Sequence, residues 1–93
     1  MPRYLIERTF SVDEDQMPDV GRRSKTVAVE QFPEIVWEHS HVVVNDEGTV
    51  RTYCIYSAPD KDTLLRHSVA LGKHTVDSIQ EIAGDVTPDD FPL

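Results

Sequence analysis

A disulfide framework is ruled out in this chain, because it holds a single cysteine, Cys54. No apolar run approaches the roughly 20 residues needed to span a bilayer, so no membrane segment is expected. Met1 to Phe10 lacks a charged region followed by an apolar stretch, so it does not read as a secretory signal, and the cytoplasm is the expected location. Basic residues are scarce: 9 Lys and Arg stand against 17 Asp and Glu, a formal net charge of -8. Phosphate backbones repel such a surface, so no nucleic-acid partner is expected. The one basic knot, Arg22, Arg23 and Lys25, reads as a solvated face. There is no phosphate-binding glycine loop, no His-Glu-x-x-His, no Cys-x-x-Cys and no Gly-x-Ser-x-Gly. Hydrolase, kinase and nicotinamide chemistry of the familiar kinds are therefore disfavoured.

What remains is enough for one domain over the 93 residues, with a core from about residue 3 to 88 and a tail at 89–93. A chain of this size buries somewhat over ~60% of its unfolded surface. It can build one core, but a deep cleft enclosed by one subunit is not expected. Small sheets of this kind often cover their second face with another copy, since an apolar face left in water is costly. A homodimer is the resulting expectation.

Arg3 to Phe10 reads as a strand, with Tyr4, Leu5, Ile6 and Phe10 as its bulk. The apolar spacing of Met17, Val20, Val27 and Ala28, with Ser24 on the same stripe, predicts a helix over Met17 to Gln31. Pro18 is tolerated in its first turn, and Pro33 ends it. Ile35 to Val44 and Thr49 to Tyr56 read as two strands joined by Asn45-Asp46-Glu47-Gly48, most simply a type I turn with Gly48 left-handed. A second helix begins near Ser57-Ala58-Pro59-Asp60, where Ser57 can cap and Asp60 suits the helix dipole. Leu64, Leu65, Ser68 and Leu71 form its stripe and Gly72 stops it. Ser78 to Val86 reads as the last strand. The order is β-α-β-β-α-β, a ferredoxin-like α+β sandwich with an antiparallel sheet and two helices on one face. Right-handed crossovers place the first and third strands in the centre.

Histidine and cysteine carry the chemical interest. His39 and His41 alternate with Ser40 on one strand, so their side chains share a face about 6–7 Å apart. Two imidazoles so spaced can meet one metal ion; they also read as two polar residues on a partly solvated edge strand. Cys54 lies across the hairpin. If the turn contains a one-residue bulge, Cys54 pairs with Ser40 and faces away from both histidines; if it closes evenly, Cys54 faces His39. A buried cysteine acting as a small hydrophobe is the ordinary reading. No neighbouring cation that would activate the thiol is visible in the sequence. His67 flanks the apolar stripe of the second helix and leans toward the sheet. His74 follows Gly72 and reads as a loop residue. Glu7 is an acid on an otherwise apolar strand, and must pair, hydrogen-bond or shift its pKa. Arg8 points to the opposite face, which leaves Arg51 or a histidine as partner. Trp37, Tyr53 and Tyr56 read as core or interface aromatics.

Several of these residues together resemble a known family. They are Tyr4-Leu5-Ile6-Glu7-Arg8, Trp37 with His39-Ser40, Tyr53-Cys54, Ala58-Pro59-Asp60, His67 and Gly72. In order and spacing they resemble a family of small bacterial domains typified by a nickel-responsive, nickel-binding protein with a ferredoxin-like fold. The resemblance covers roughly Arg3 to Pro88. It implies a dimeric ferredoxin-like domain with histidine-based nickel binding. The chain departs from the family in having His74 where a proline tends to follow the helix-ending glycine, and in the Pro18 and Gly21 region.

The leading expectation is thus a divalent-metal, nickel-binding protein. Its ligands would be His39, His41 and His67, with Glu7, Cys54 or His74 completing the sphere. The rivals are a dimeric enzyme acting on a small organic substrate, with Glu7 and His67 as acid–base pair beside Trp37, Tyr53 and Tyr56, and an interaction module with no small ligand.

Overall fold

A computed structural model describes residues 1–93. Its elements are β1 (Arg3–Phe10), α1 (Met17–Gln31), β2 (Val36–Val44), β3 (Val50–Ser57), α2 (Lys61–Leu71) and β4 (His74–Glu81), with single 3-10 turns at Glu14–Gln16 and Pro88–Asp90. The four strands form one antiparallel sheet in the order β2-β3-β1-β4. The first and third strands are central, as the crossover rule requires.

Strict alternation in β1 builds the layers. Tyr4, Ile6, Arg8 and Phe10 are buried beneath the helices, while Leu5, Glu7 and Thr9 look out from the other face. In β3, Val50, Thr52, Cys54 and Tyr56 are buried in the same sense. α1 sets Ser24, Val27 and Ala28 inward, and α2 sets Leu64, His67 and Leu71 inward. Ile6 and Leu64 have no exposed surface. Each contributes about 1.5–3 kcal/mol of burial. Both helices cover one face, and the other face of the sheet has no layer over it.

The β2–β3 turn decides which side chains share a face. The Gly48 amide donates to the Asn45 carbonyl at 3.0 Å, the Asn45 amide to the Thr49 carbonyl at 3.1 Å, and Gly48 has φ 84°. This is a type I turn closed by a left-handed bulge residue, a conformation glycine adopts without penalty. It sets Val44 opposite Val50 and Ser40 opposite Cys54. A second bulge at Glu38 shifts the register between Trp37 and His39. Trp37 therefore lies on the helix side against Tyr56, and His39 on the open side.

Two local expectations are corrected. The last strand runs His74–Glu81, four residues earlier at its start than Ser78. β1 pairs along its whole length, from Phe10 opposite His74 to Tyr4 opposite Glu81. The chain must therefore reverse at once after α2, which Gly72 and Lys73 do with φ of 72° and 62°. His74 is a strand residue and not a loop residue. Similarly, Ser57 does not cap α2, because it is still in β3 opposite Arg3. The cap is Asp60, whose Oδ1 accepts the Thr63 amide at 2.8 Å and the Thr63 hydroxyl at 2.7 Å.

Candidate functional site

The open face is built in transverse rows. One row is His41, Tyr53, Glu7 and Ser78; the next is His39, Ile55, Leu5 and Gln80. His39 and His41 are exposed, with ring centres 5.3 Å apart and planes at 84°. With metal–nitrogen bonds of about 2.1 Å, two rings on one ion stand with centres roughly 4.5–6.5 Å apart. The spacing of the pair lies within the range for a shared ion, and imidazole suits nickel. Glu7 accepts the Ser78 hydroxyl at 2.7 Å and forms no ion pair with Arg51 or with a histidine. Two strand spacings, roughly 10 Å, separate it from His41. Glu38, at the bulge, is held by Arg3 at 2.8 and 3.1 Å. That guanidinium keeps the Glu38 carboxyl below its ordinary pKa. Arg3 also grips Asp85 at 2.6 Å, which ties the segment after β4 to this edge.

The other candidates lie behind the sheet. Cys54 is 3% exposed, and its thiol donates to Thr52 Oγ1 at 3.4 Å. His67 is fully buried; its Nε2–H donates to the Ser24 carbonyl at 3.2 Å and Nδ1 has no partner in the chain. Loss of solvation pushes its pKa down, which favours the neutral ring. His74 donates from Nδ1 to the Gly72 carbonyl at 2.7 Å and stacks on Phe10 at 4.9 Å. Burial lowers its pKa as well.

The sheet therefore divides the six expected ligands. His39, His41 and Glu7 are on one face, and Cys54, His67 and His74 are on the other. Nowhere do three His, Cys, Asp or Glu side chains converge. The turn bulge sends Cys54 away from the histidine pair, one of the two registers the sequence allows. The same division separates Glu7 from His67, so one subunit does not assemble that acid–base pair. Tyr53 is outside too, apart from Trp37 and Tyr56.

A residue that sequence reasoning passed over lies in the floor of the helix side. Arg8 is 2% exposed. Its Nη1 donates to Tyr56 Oη at 3.3 Å and to Cys54 Sγ at 3.4 Å, and its Nη2 to Ser68 Oγ at 3.0 Å. The guanidinium also lies 5.4 Å from the centre of the Tyr56 ring. It is the cation beside Cys54 that the sequence did not reveal. The available signal was parity: Arg8 shares its face with Tyr4, Ile6 and Phe10. Arg8 lines a cavity of about 330 Å³ between α1 and the sheet.

A family model described as nickel responsive protein SCO4226-like matches residues 4–82. The chain belongs to this family. The crystal structure of SCO4226 from Streptomyces coelicolor A3(2) superposes with a TM-score of 0.65 at 17% identity, covering 90% of this chain and 99% of that one. The C-terminal domain of MgtC from Mycobacterium tuberculosis matches with a TM-score of 0.60 at 11% identity, over 90% of this chain and 88% of the other. SnoaB, a cofactor-independent oxygenase from Streptomyces nogalater, matches with a TM-score of 0.53 at 11% identity, over 94% and 95%. At these identities the likeness establishes the fold shared with this SCO4226-like chain. No curated protein matches by sequence. No helix of the chain is long and apolar enough to cross a membrane.

Proposed function

We propose that this SCO4226-like protein binds a divalent metal, nickel, through His39 and His41, and that a second copy of the chain completes the site. The observation that carries the reading is the histidine pair on the uncovered face, with ring centres 5.3 Å apart. The family's nickel responsiveness supports the choice of metal. Two imidazoles are fewer than the four or more donors that transition metals take in protein sites, and one subunit offers no third. Two copies meeting across the open face, which carries half-buried Leu5, Tyr53 and Ile55, would double the pair and cover that face together. Glu7, in the row of His41, is one of the carboxylates of that face. Cys54, His67 and His74 have no part in this site, because the sheet stands between.

The test is thermal unfolding of chelated protein with Ni²⁺, Zn²⁺, Co²⁺ and Mg²⁺ added in turn. A ligand at a hundredfold excess over its Kd stabilises the native state by about 2.7 kcal/mol, a shift of roughly ten degrees or more at this size. A selective rise with nickel, abolished in His39→Ala/His41→Ala and kept in His67→Gln, is the expected result. No shift with any ion, or an undiminished shift in the double variant, overturns the assignment.

A further inference from the structure

The cavity beneath α1 contains an unbalanced charge. The chain carries 17 carboxylate side chains, yet none pairs with Arg8, the one buried arginine. Its ion pairs all involve Arg3, Arg22 and Arg66. The groups that do accept from Arg8 are a hydroxyl of serine, a phenol and a thiol, all neutral donors or acceptors. Nε–H has no acceptor in the chain, and at least one Nη2–H is also free. A buried cation costs several kcal/mol unless a counter-charge offsets it, and the planar fork of arginine is built to take a carboxylate through two parallel N–H groups.

Apart from Ser24, Ser40 and Thr52, the rest of the cavity is largely apolar. Phe10, Met17, Val20, Val42 and Leu71 line it, and the Trp37 indole stands at its side. That indole is fixed by its Nε1–H donating to Ser40 Oγ at 2.9 Å and by stacking on Tyr56 at 6.5 Å. Gly21 and Ser24 on α1 leave room where larger residues would fill the gap: a side chain begun at Gly21 meets nothing within 4 Å. The volume of about 330 Å³ falls at the small end of ligand pockets. One buried cation in a largely apolar chamber suits a ligand with one anionic head and a compact apolar body.

The geometry points to this cavity as a binding site for a small hydrophobic monocarboxylate, whose carboxylate pairs with Arg8 and whose body packs against Trp37 and the α1 side chains. The site is on the opposite face from His39 and His41, so it operates with or without metal.

Trp37 is the only tryptophan, so its fluorescence reports occupancy directly. Chelated protein is titrated with octanoate and phenylacetate and, as charge-free controls, with octanamide and phenylacetamide. The expected result is saturable quenching or enhancement by at least one carboxylate, tenfold or more tighter than by its amide. Arg8→Met, which keeps the volume and removes the charge, should abolish that preference. Gly21→Leu, which keeps Arg8 and occupies the chamber, should weaken carboxylate and amide alike, and serves as the folded control should Arg8→Met not fold. The proposal is overturned if no carboxylate binds, if amides bind as well as carboxylates, or if Gly21→Leu binds as tightly as the parent chain.

Discussion

His67 illustrates how one side chain can hold two elements together while losing its usual role as a physiological titrator. Its ring joins α2 to α1 by donating from Nε2 to the Ser24 carbonyl, with the Phe32 ring edge-on at 6.0 Å and the Tyr56 ring tilted at 5.9 Å. Loss of solvation, with Arg8 and His74 nearby, holds its pKa below the ordinary 6.5. The sign follows: in the unfolded chain the imidazole takes up a proton near pH 6.5, and in the folded chain it resists. The contribution to stability is complete above pH 6.5 and declines as pH falls below it. Glu38 and Asp60, held below the ordinary carboxylate range by Arg3 and by the Thr63 hydrogen bonds, stay ionised in that window and add no slope there. Urea unfolding at pH 7.5, 6.5 and 5.5 should show decreasing stability for the parent chain and a shallower decrease for His67→Gln. Equal slopes would contradict this role. The sequence showed that His67 leans toward the sheet, since it sits three residues from Leu64 and four from Leu71. It could not show the Ser24 carbonyl, a partner 43 residues away. Arg8 was harder to see for the same reason: charge suggests exposure, and only its parity with Ile6 and Phe10 argues otherwise.

At the scale of elements, local chemistry was largely sufficient. β1 and α1 run over the residues that periodicity and Pro33 indicate, and the Asn45–Gly48 turn has the conformation its residues favour. The misreadings were at junctions where tertiary pairing overrides local signals. β4 starts at His74 because β1 demands a partner along its full length, and β3 continues through Ser57 because Arg3 stands opposite. The cap passes to Asp60 in consequence. Asp60→Ala should cost about 0.5–2 kcal/mol in urea unfolding, whereas Ser57→Ala should cost less. A larger loss for Ser57→Ala would show the cap misplaced. The bulge at Glu38 is the other such feature. No turn residue marks it, yet it decides that Trp37 faces the cavity and His39 the open side.

The whole molecule has two faces of different character. One is covered by helices and holds a charged, mostly apolar chamber that opens to solvent beside Trp37 and Val42; the other is uncovered and displays the two histidines. The family match and the shared fold connect this chain to nickel-responsive relatives, and the register accounts for why its candidate ligands cannot all serve one ion. His39 and His41 were legible as a pair from their spacing alone, because alternation along a strand is local. The separation of Cys54 and His67 from them was not, because it depends on two bulges and on which face the helices cover. We propose that the pair binds nickel between two copies of the chain. Native mass spectrometry of the chelated protein, with nickel added in steps, tests it in one measurement. The expected species is two chains carrying one nickel ion, replacing the metal-free form as nickel rises and missing in His39→Ala/His41→Ala. A saturated species of one chain with its own nickel, or chains that take up none, would contradict it.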